Sequence, residues 1–175
     1  MANIDIGAPA IEERSSSLSG GYTVIEASNP ANLSGIITLV KIFAESAMIG
    51  VKVGIFYKTN GNTFSTRSSV TLGNVADRDT EHIVNLAVEA GDYIGIYFTG
   101  GSIVRDTTGF VGAWLHLDDD IPCTNVDFTF YDGDQYSLEG EGAEPGWTGK
   151  ISGVTNPAKV MGVAVANIAK VKGIA

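Results

Sequence analysis

From residue 22 onward, apolar and polar side chains alternate along most of the chain with a period of two, the mark of half-buried β-strands. The clearest case is IGVKVGIFYKTNGN (49–62), which puts Val51, Val53, Ile55 and Tyr57 on one face and Lys52, Gly54, Phe56 and Lys58 on the other. Asn60-Gly61 ends it, because this dipeptide accepts the positive φ of a tight hairpin turn. FSTRSSVTLGNV (64–75) is then the returning strand. GIITLVKIFAES (35–46) sets Ile37, Leu39, Lys41 and Phe43 against Ile36, Thr38, Val40 and Ile42. Further strands are predicted at 21–27, within 81–101 on either side of Ala90-Gly91-Asp92, and at 110–117, 125–133 and 135–140. No window before residue 155 carries the 3.6-residue period of an amphipathic helix.

Eight or more short strands separated by Gly, Asn and Asp turns predict an all-β fold, a jelly-roll-like antiparallel β-sandwich. Within it, AGDYIGIYFTGG (90–101) is expected to be a central strand. Gly95 would there permit a bulge or a close approach of another group to the backbone.

The pattern changes after residue 140. The sandwich is expected to span 1–140, followed by a Gly/Pro-rich linker over 141–157 and an apolar tail over 158–175. In the tail, AKVMGVA (158–164) returns as AKVKGIA (169–175), and its glycines and β-branched residues oppose helix. Val160, Met161, Val163, Val165, Ile168, Val171 and Ile174 are too much apolar surface to leave in water. The tail therefore reads as a docking element, on its own sandwich, on a neighbouring subunit or on a larger assembly. The linker's reach favours contact with another subunit.

Composition narrows the function. Glycine accounts for 22 of 175 residues without a triplet period, which suits many tight turns. A net charge of −9 with singly scattered Lys and Arg excludes a nucleic-acid binder. One cysteine, Cys123, leaves no intrachain disulfide and reads as a small buried hydrophobe. No apolar run approaches a membrane span and no secretory signal is visible, so synthesis in a cytoplasm is expected.

Candidate chemistry is sparse. There is no nucleophile elbow and no phosphate-cradling loop, and His82 and His116 sit inside strand-like stretches without zinc-ligand spacing. Calcium needs converging carboxylates, for which Asp118, Asp119 and Asp120, or Asp132 and Asp134, are the candidate donors. The sequence around 132–134 lacks the spacing of an EF-hand loop, and turn acids are the more economical reading of these residues. A sugar platform needs flat exposed rings, for which Tyr97, Tyr131, Tyr136 and Trp147 are candidates, whereas Trp114 reads as core.

Several words, among them FYKTNGNTFSTR, VEAGDYIGIYFTGGSI and IPCTNVDFTF, resemble a family of uncharacterised β-sandwich proteins of tailed bacteriophages. NPAKVMGVAVANIAKVKGIA resembles short AKVxGVA repeats at the ends of phage tail and other virion proteins. The resemblance implies a virion component and supplies no catalytic residue. The expectation is a non-enzymatic structural or accessory virion protein that decorates a capsid or tail, with itself and other virion proteins as partners and no cofactor. The alternatives are a carbohydrate-binding, lectin-like module for host surface glycans, and a self-assembling filament subunit.

Overall fold

The computed structural model describes residues 3–144 and, beyond them, the backbone of residues 150–151, 154–155, 159–160 and 163–164. The described chain is all-β, and every strand pairing in it is antiparallel. In order the strands are β1 (Asn3–Ala8), β2 (Ser16–Ser19), β3 (Thr23–Glu26), β4 (Gly35–Asn60), β5 (Thr63–Val75) and β6 (Arg78–Val88). Then come β7 (Tyr93–Tyr97), β8 (Gly100–His116), β9 (Val126–Asp127), β10 (Thr129–Tyr136) and β11 (Leu138–Ala143).

One long strand, β4, contributes to both layers of the sandwich. The first half of β4 pairs with β11 and β6, and β1 joins outside β11. The second half pairs with β5 and β7, and the layer continues through β3 and β8 to β10. A 26-residue strand can serve both layers because it changes partners near Ala44–Met48, where the register slips beside β8. The sequence pattern predicts two separate strands here, 35–46 and 49–62.

Between the layers lies one continuous core. Ile4 and Ile6 of β1, Ile37, Val40 and Ile42 of β4, and Leu86 of β6 meet Val53, Ile55, Ile94 and Ile96 of the opposite layer. The predicted alternation of β4 fails at Thr38. A register shift between Ile37 and Leu39 moves the inward positions from odd to even numbers, so Val40 and Ile42 follow Ile37 into the core.

A second, smaller core sits on the outer face of the β4–β7–β3–β8 layer. Ile25, Phe56, Phe64, Trp114, Ile121 and Phe128 fill it, and the segment after β8 covers it. Mutual bonds hold that cover: the Cys123 N–H donates to Thr66 Oγ1 over 2.9 Å, and the Thr66 N–H returns to the Cys123 carbonyl over 3.0 Å. Gly95 answers its sequence question here. Its φ is not positive, and the missing side chain leaves room for the Phe56 ring on the outer face.

Beyond Glu144, β12 (Lys150–Ile151) pairs with β13 (Val154–Thr155), and β14 (Lys159–Val160) with β15 (Val163–Ala164). Each is a hairpin with two residues between its strands.

Candidate functional site

The three neighbouring aspartates lie over the outer face of the sandwich. Cross-strand register sets Lys52, Tyr97, Thr23 and His116 side by side on four strands. Thr23 Oγ1 donates to the Asp118 carbonyl over 2.7 Å and accepts from the Asp120 N–H over 2.9 Å. Lys52 Nζ pairs with Asp119, and His116 Nδ1 lies 2.6 Å from Asp120 Oδ2. Asp118 accepts from the Asp119 N–H. Each carboxylate thus has its own local partner, and the loop is strapped to the sheet.

The remaining calcium candidates are also apart. Asp132 is exposed, while Asp134 is buried and paired with Arg105 over 3.1 Å. Among the described residues, no group of three or more His, Cys, Asp or Glu side chains is arranged to hold a metal ion.

A His–carboxylate contact such as His116–Asp120 would orient an imidazole for proton transfer only with a free hydroxyl or thiol beside it. The hydroxyl beside them belongs to Thr23, which is already donating to the Asp118 carbonyl. His82 lies in β6, half-buried, with its basicity lowered by burial. Cys123 is half-buried too, and burial pushes its thiol pKa up, away from a reactive thiolate.

The sugar-platform expectation needs correction at Tyr136. This ring is fully buried, its hydroxyl donates to Asp134 over 3.0 Å, and Arg105 donates to it over 3.0 Å. The tyrosine alternates inward at the end of β10, where the chain crosses from one layer to the other. Tyr97 is half-buried against the second core. Tyr131 is exposed, and Trp147 lies outside the described residues. Trp114 is buried as expected, with its Nε1 donating to Asn62 Oδ1 over 2.9 Å. Lys58 Nζ lies 4.3 Å from its ring centroid.

One polar cluster had no signal in the sequence. Arg14, with a side chain only 1% exposed, donates to Ser137, Asp106, Gln135 and the Pro9 carbonyl. Gln135 passes the network to Ser28, and Ser28 donates its backbone N–H to Glu26. Glu26 is buried between the layers, and burial outweighs its hydrogen bonds and the Arg14 charge to raise its carboxyl pKa to about 7. Asp106 goes the other way: bonds from Ser15 and Arg14 overcome desolvation and hold its pKa below the usual carboxylate value. The cluster ties the Pro9–Ser15 segment over one end of the sandwich.

Among the described residues, four exposed apolar or aromatic side chains lie on the paired strands β8 and β10. Phe110 and Val111 of β8 lie across from β10, whose Phe130 pairs with Trp114 and whose Tyr131 pairs with Ala113. Exposures are 43% for Phe110, 60% for Val111, 38% for Phe130 and 48% for Tyr131. Among the described residues β10 pairs only with β8, so these side chains border an open strand edge. Glycines shape the ridge: Phe130 lies over Gly112, at φ +118°, where a Cβ would sit 2.5 Å from its ring.

Of the tail residues read as assembly contacts, Val160 and Val163 lie opposite each other in the β14–β15 pair. Met161, Val165, Ile168, Val171 and Ile174 lie outside the described residues. No family model and no curated protein matches the chain.

Proposed function

We propose that this protein is a non-enzymatic building block of a larger particle: a β-sandwich that contributes a structural or decorating surface to a virion. The observation that carries the reading is the apolar edge of β8 and β10. Four large side chains, three of them aromatic, stand exposed on β8 and β10, and among the described residues β10 pairs only with β8. Exposed aromatic residues along a strand edge match the composition of a protein–protein contact, where aromatic residues are enriched. The same edge could extend the sheet into a neighbour by strand addition. The sequence resemblance to tailed-phage sandwich proteins identifies the particle in this proposal.

Chemistry at the candidate polar sites gives no competing reading. The carboxylates of the Asp118–Asp120 turn are each engaged locally, and the Glu26 cluster is enclosed. The glycan reading loses the buried Tyr136; Tyr131 is exposed on β10, Tyr97 is half-buried, and Trp147 lies outside the described residues.

The test is sedimentation equilibrium of the purified chain beside a Val111→Lys/Tyr131→Asp variant. The proposal expects an assembly that the variant reduces in mass while keeping the same far-ultraviolet dichroism. A monomeric wild type, or an assembly untouched by the variant, would overturn it.

A further inference from the structure

The outer face of the other layer carries a groove of about 490 Å³, walled by Asp5 of β1, Thr38 and Leu39 of β4, and Glu139, Glu141 and Ala143 of β11. Register explains its character. Asp5, Glu141, Leu39 and Ile83 lie side by side across β1, β11, β4 and β6. Glu139, Lys41 and Glu81 form the next row. Ile83 is 92% exposed on this face. The surface is therefore acidic, with an apolar floor and shoulder.

Charge is segregated along the chain in the complementary sense. All twenty Asp and Glu, and seven of the eleven Lys and Arg, lie within residues 1–144, which leaves that part at −13. Residues 145–175 contain the other four, Lys150, Lys159, Lys170 and Lys172, and no acid, for +4. The two described hairpins extend the AKVMGVA/AKVKGIA repeat by a third unit that the sequence reading passed over. KISGVT (150–155) and KVMGVA (159–164) form the same hairpin, and KVKGIA (170–175) has the same pattern. Each unit opens with a lysine and carries β-branched aliphatic residues. A hairpin with two residue pairs is marginal in water on its own and needs a surface to lie against.

Reach decides which surface. Ala143 is itself a wall of the groove, and only residues 144–149 separate it from Lys150. Six residues span at most roughly 20 Å, which keeps Lys150 within reach of the groove. A tether this short sets an effective concentration in the millimolar range, which favours the same chain over a second copy at ordinary protein concentrations.

We propose that the acidic groove of β1, β11 and β4 is the docking site for the basic, aliphatic hairpin units of the chain's own C-terminal tail. The lysines pair with Asp5, Glu139 and Glu141, and the aliphatic residues cover Leu39 and Ile83. This docking is independent of the β8–β10 edge, and it reverses the preference for a neighbouring subunit drawn from the linker alone.

Zero-length carbodiimide cross-linking of the full chain tests it, using an equal mixture of unlabelled and ¹⁵N-labelled protein and peptide mapping. Lys41, already paired with Glu141, supplies the internal standard that the reagent reaches the groove. The expected result is cross-links from Lys150 or Lys159 to Asp5, Glu139 or Glu141, in peptide pairs of a single isotope. With the Lys41–Glu141 link present, absence of any tail link to these three carboxylates overturns the proposal. Mixed-isotope pairs also overturn it, and would assign the groove to a second copy.

Discussion

The backbone N–H of Tyr136 donates to Oε2 of Glu26 over 2.7 Å across 110 residues of chain, with both residues buried. The other oxygen accepts from the Ser28 N–H over 2.9 Å. This carboxyl therefore stitches β3 to the end of β10, where the chain leaves one layer for the other. Burial raises its pKa from 4.5 to about 7 in the folded protein, so between these values the folded state holds a proton that the unfolded chain releases. Glu26's contribution is fully present below about pH 4.5 and is lost as pH rises through 7. At about 1.4 kcal/mol per pH unit, the loss is roughly 3 kcal/mol. Urea unfolding at pH 5 and pH 8 should show it, and Glu26→Gln should flatten the difference. Equal pH dependence in both proteins would mean that Glu26 folds already ionised.

Ile55 pairs with Ile94 across β4 and β7 and is fully buried in the main core. Ile55→Asp should cost about 4 kcal/mol or more, because an unpaired carboxylate would replace it there. An unchanged denaturation midpoint would contradict the inward placement. Lys58 offers a contrast on the same strand. Although its side chain is exposed, it lies over Trp114, so Lys58→Ala should cost about 0.5–1 kcal/mol rather than nothing.

Cys123 should react slowly with a thiol reagent at pH 8 in the folded protein and quickly in denaturant. Burial raises its pKa, and the backbone on both sides of its Cα is fixed to Thr66. Native labelling as fast as a small thiol would place the sulfur in open solvent.

The all-β class, the hairpin at Asn60-Gly61 and the inward face of Val51, Val53 and Ile55 were legible because each follows from local periodicity. Where the alternation broke, the cause was a bulge. The slip beside Thr38 reverses the faces of β4, and nothing in Ile36-Ile37-Thr38-Leu39 signals it. Strand β1 was missed because NIDIGA is short, and its outer edge is satisfied by distant loop atoms, Asn32 Oδ1 and the Asn29 carbonyl. The burial of Arg14 and Glu26 was illegible for a similar reason. Their partners come from β8, β10 and the loop before them, and composition alone would have left both charges in water. Tyr136, a candidate exposed ring in the sequence, is fully buried, with the buried Asp134 as its hydroxyl's acceptor.

Gly95 gives the most discriminating test of the second core. Gly54, Gly95, Ile25 and Trp114 occupy one cross-strand row on the outer face, and Phe56 lies over both glycines. A Cβ at Gly95 would sit 2.7 Å from Phe56 Cε2 and 2.6 Å from the Val24 carbonyl oxygen. At Gly54 the one contact below 3.0 Å is the ring, at 2.9 Å. A ring can tilt, whereas a carbonyl fixed within the β3 backbone can move only if the strand moves. Gly95→Ala should therefore cost about 1–3 kcal/mol, and Gly54→Ala less. In a Phe56→Leu background, which removes the ring at a cost of its own, the Gly54→Ala penalty should largely vanish while most of the Gly95→Ala penalty remains. Chemical denaturation of the two double-mutant cycles measures that difference. A Gly95→Ala penalty that disappeared with the ring would mean that β3 yields readily, and that Phe56 alone holds the glycine in place.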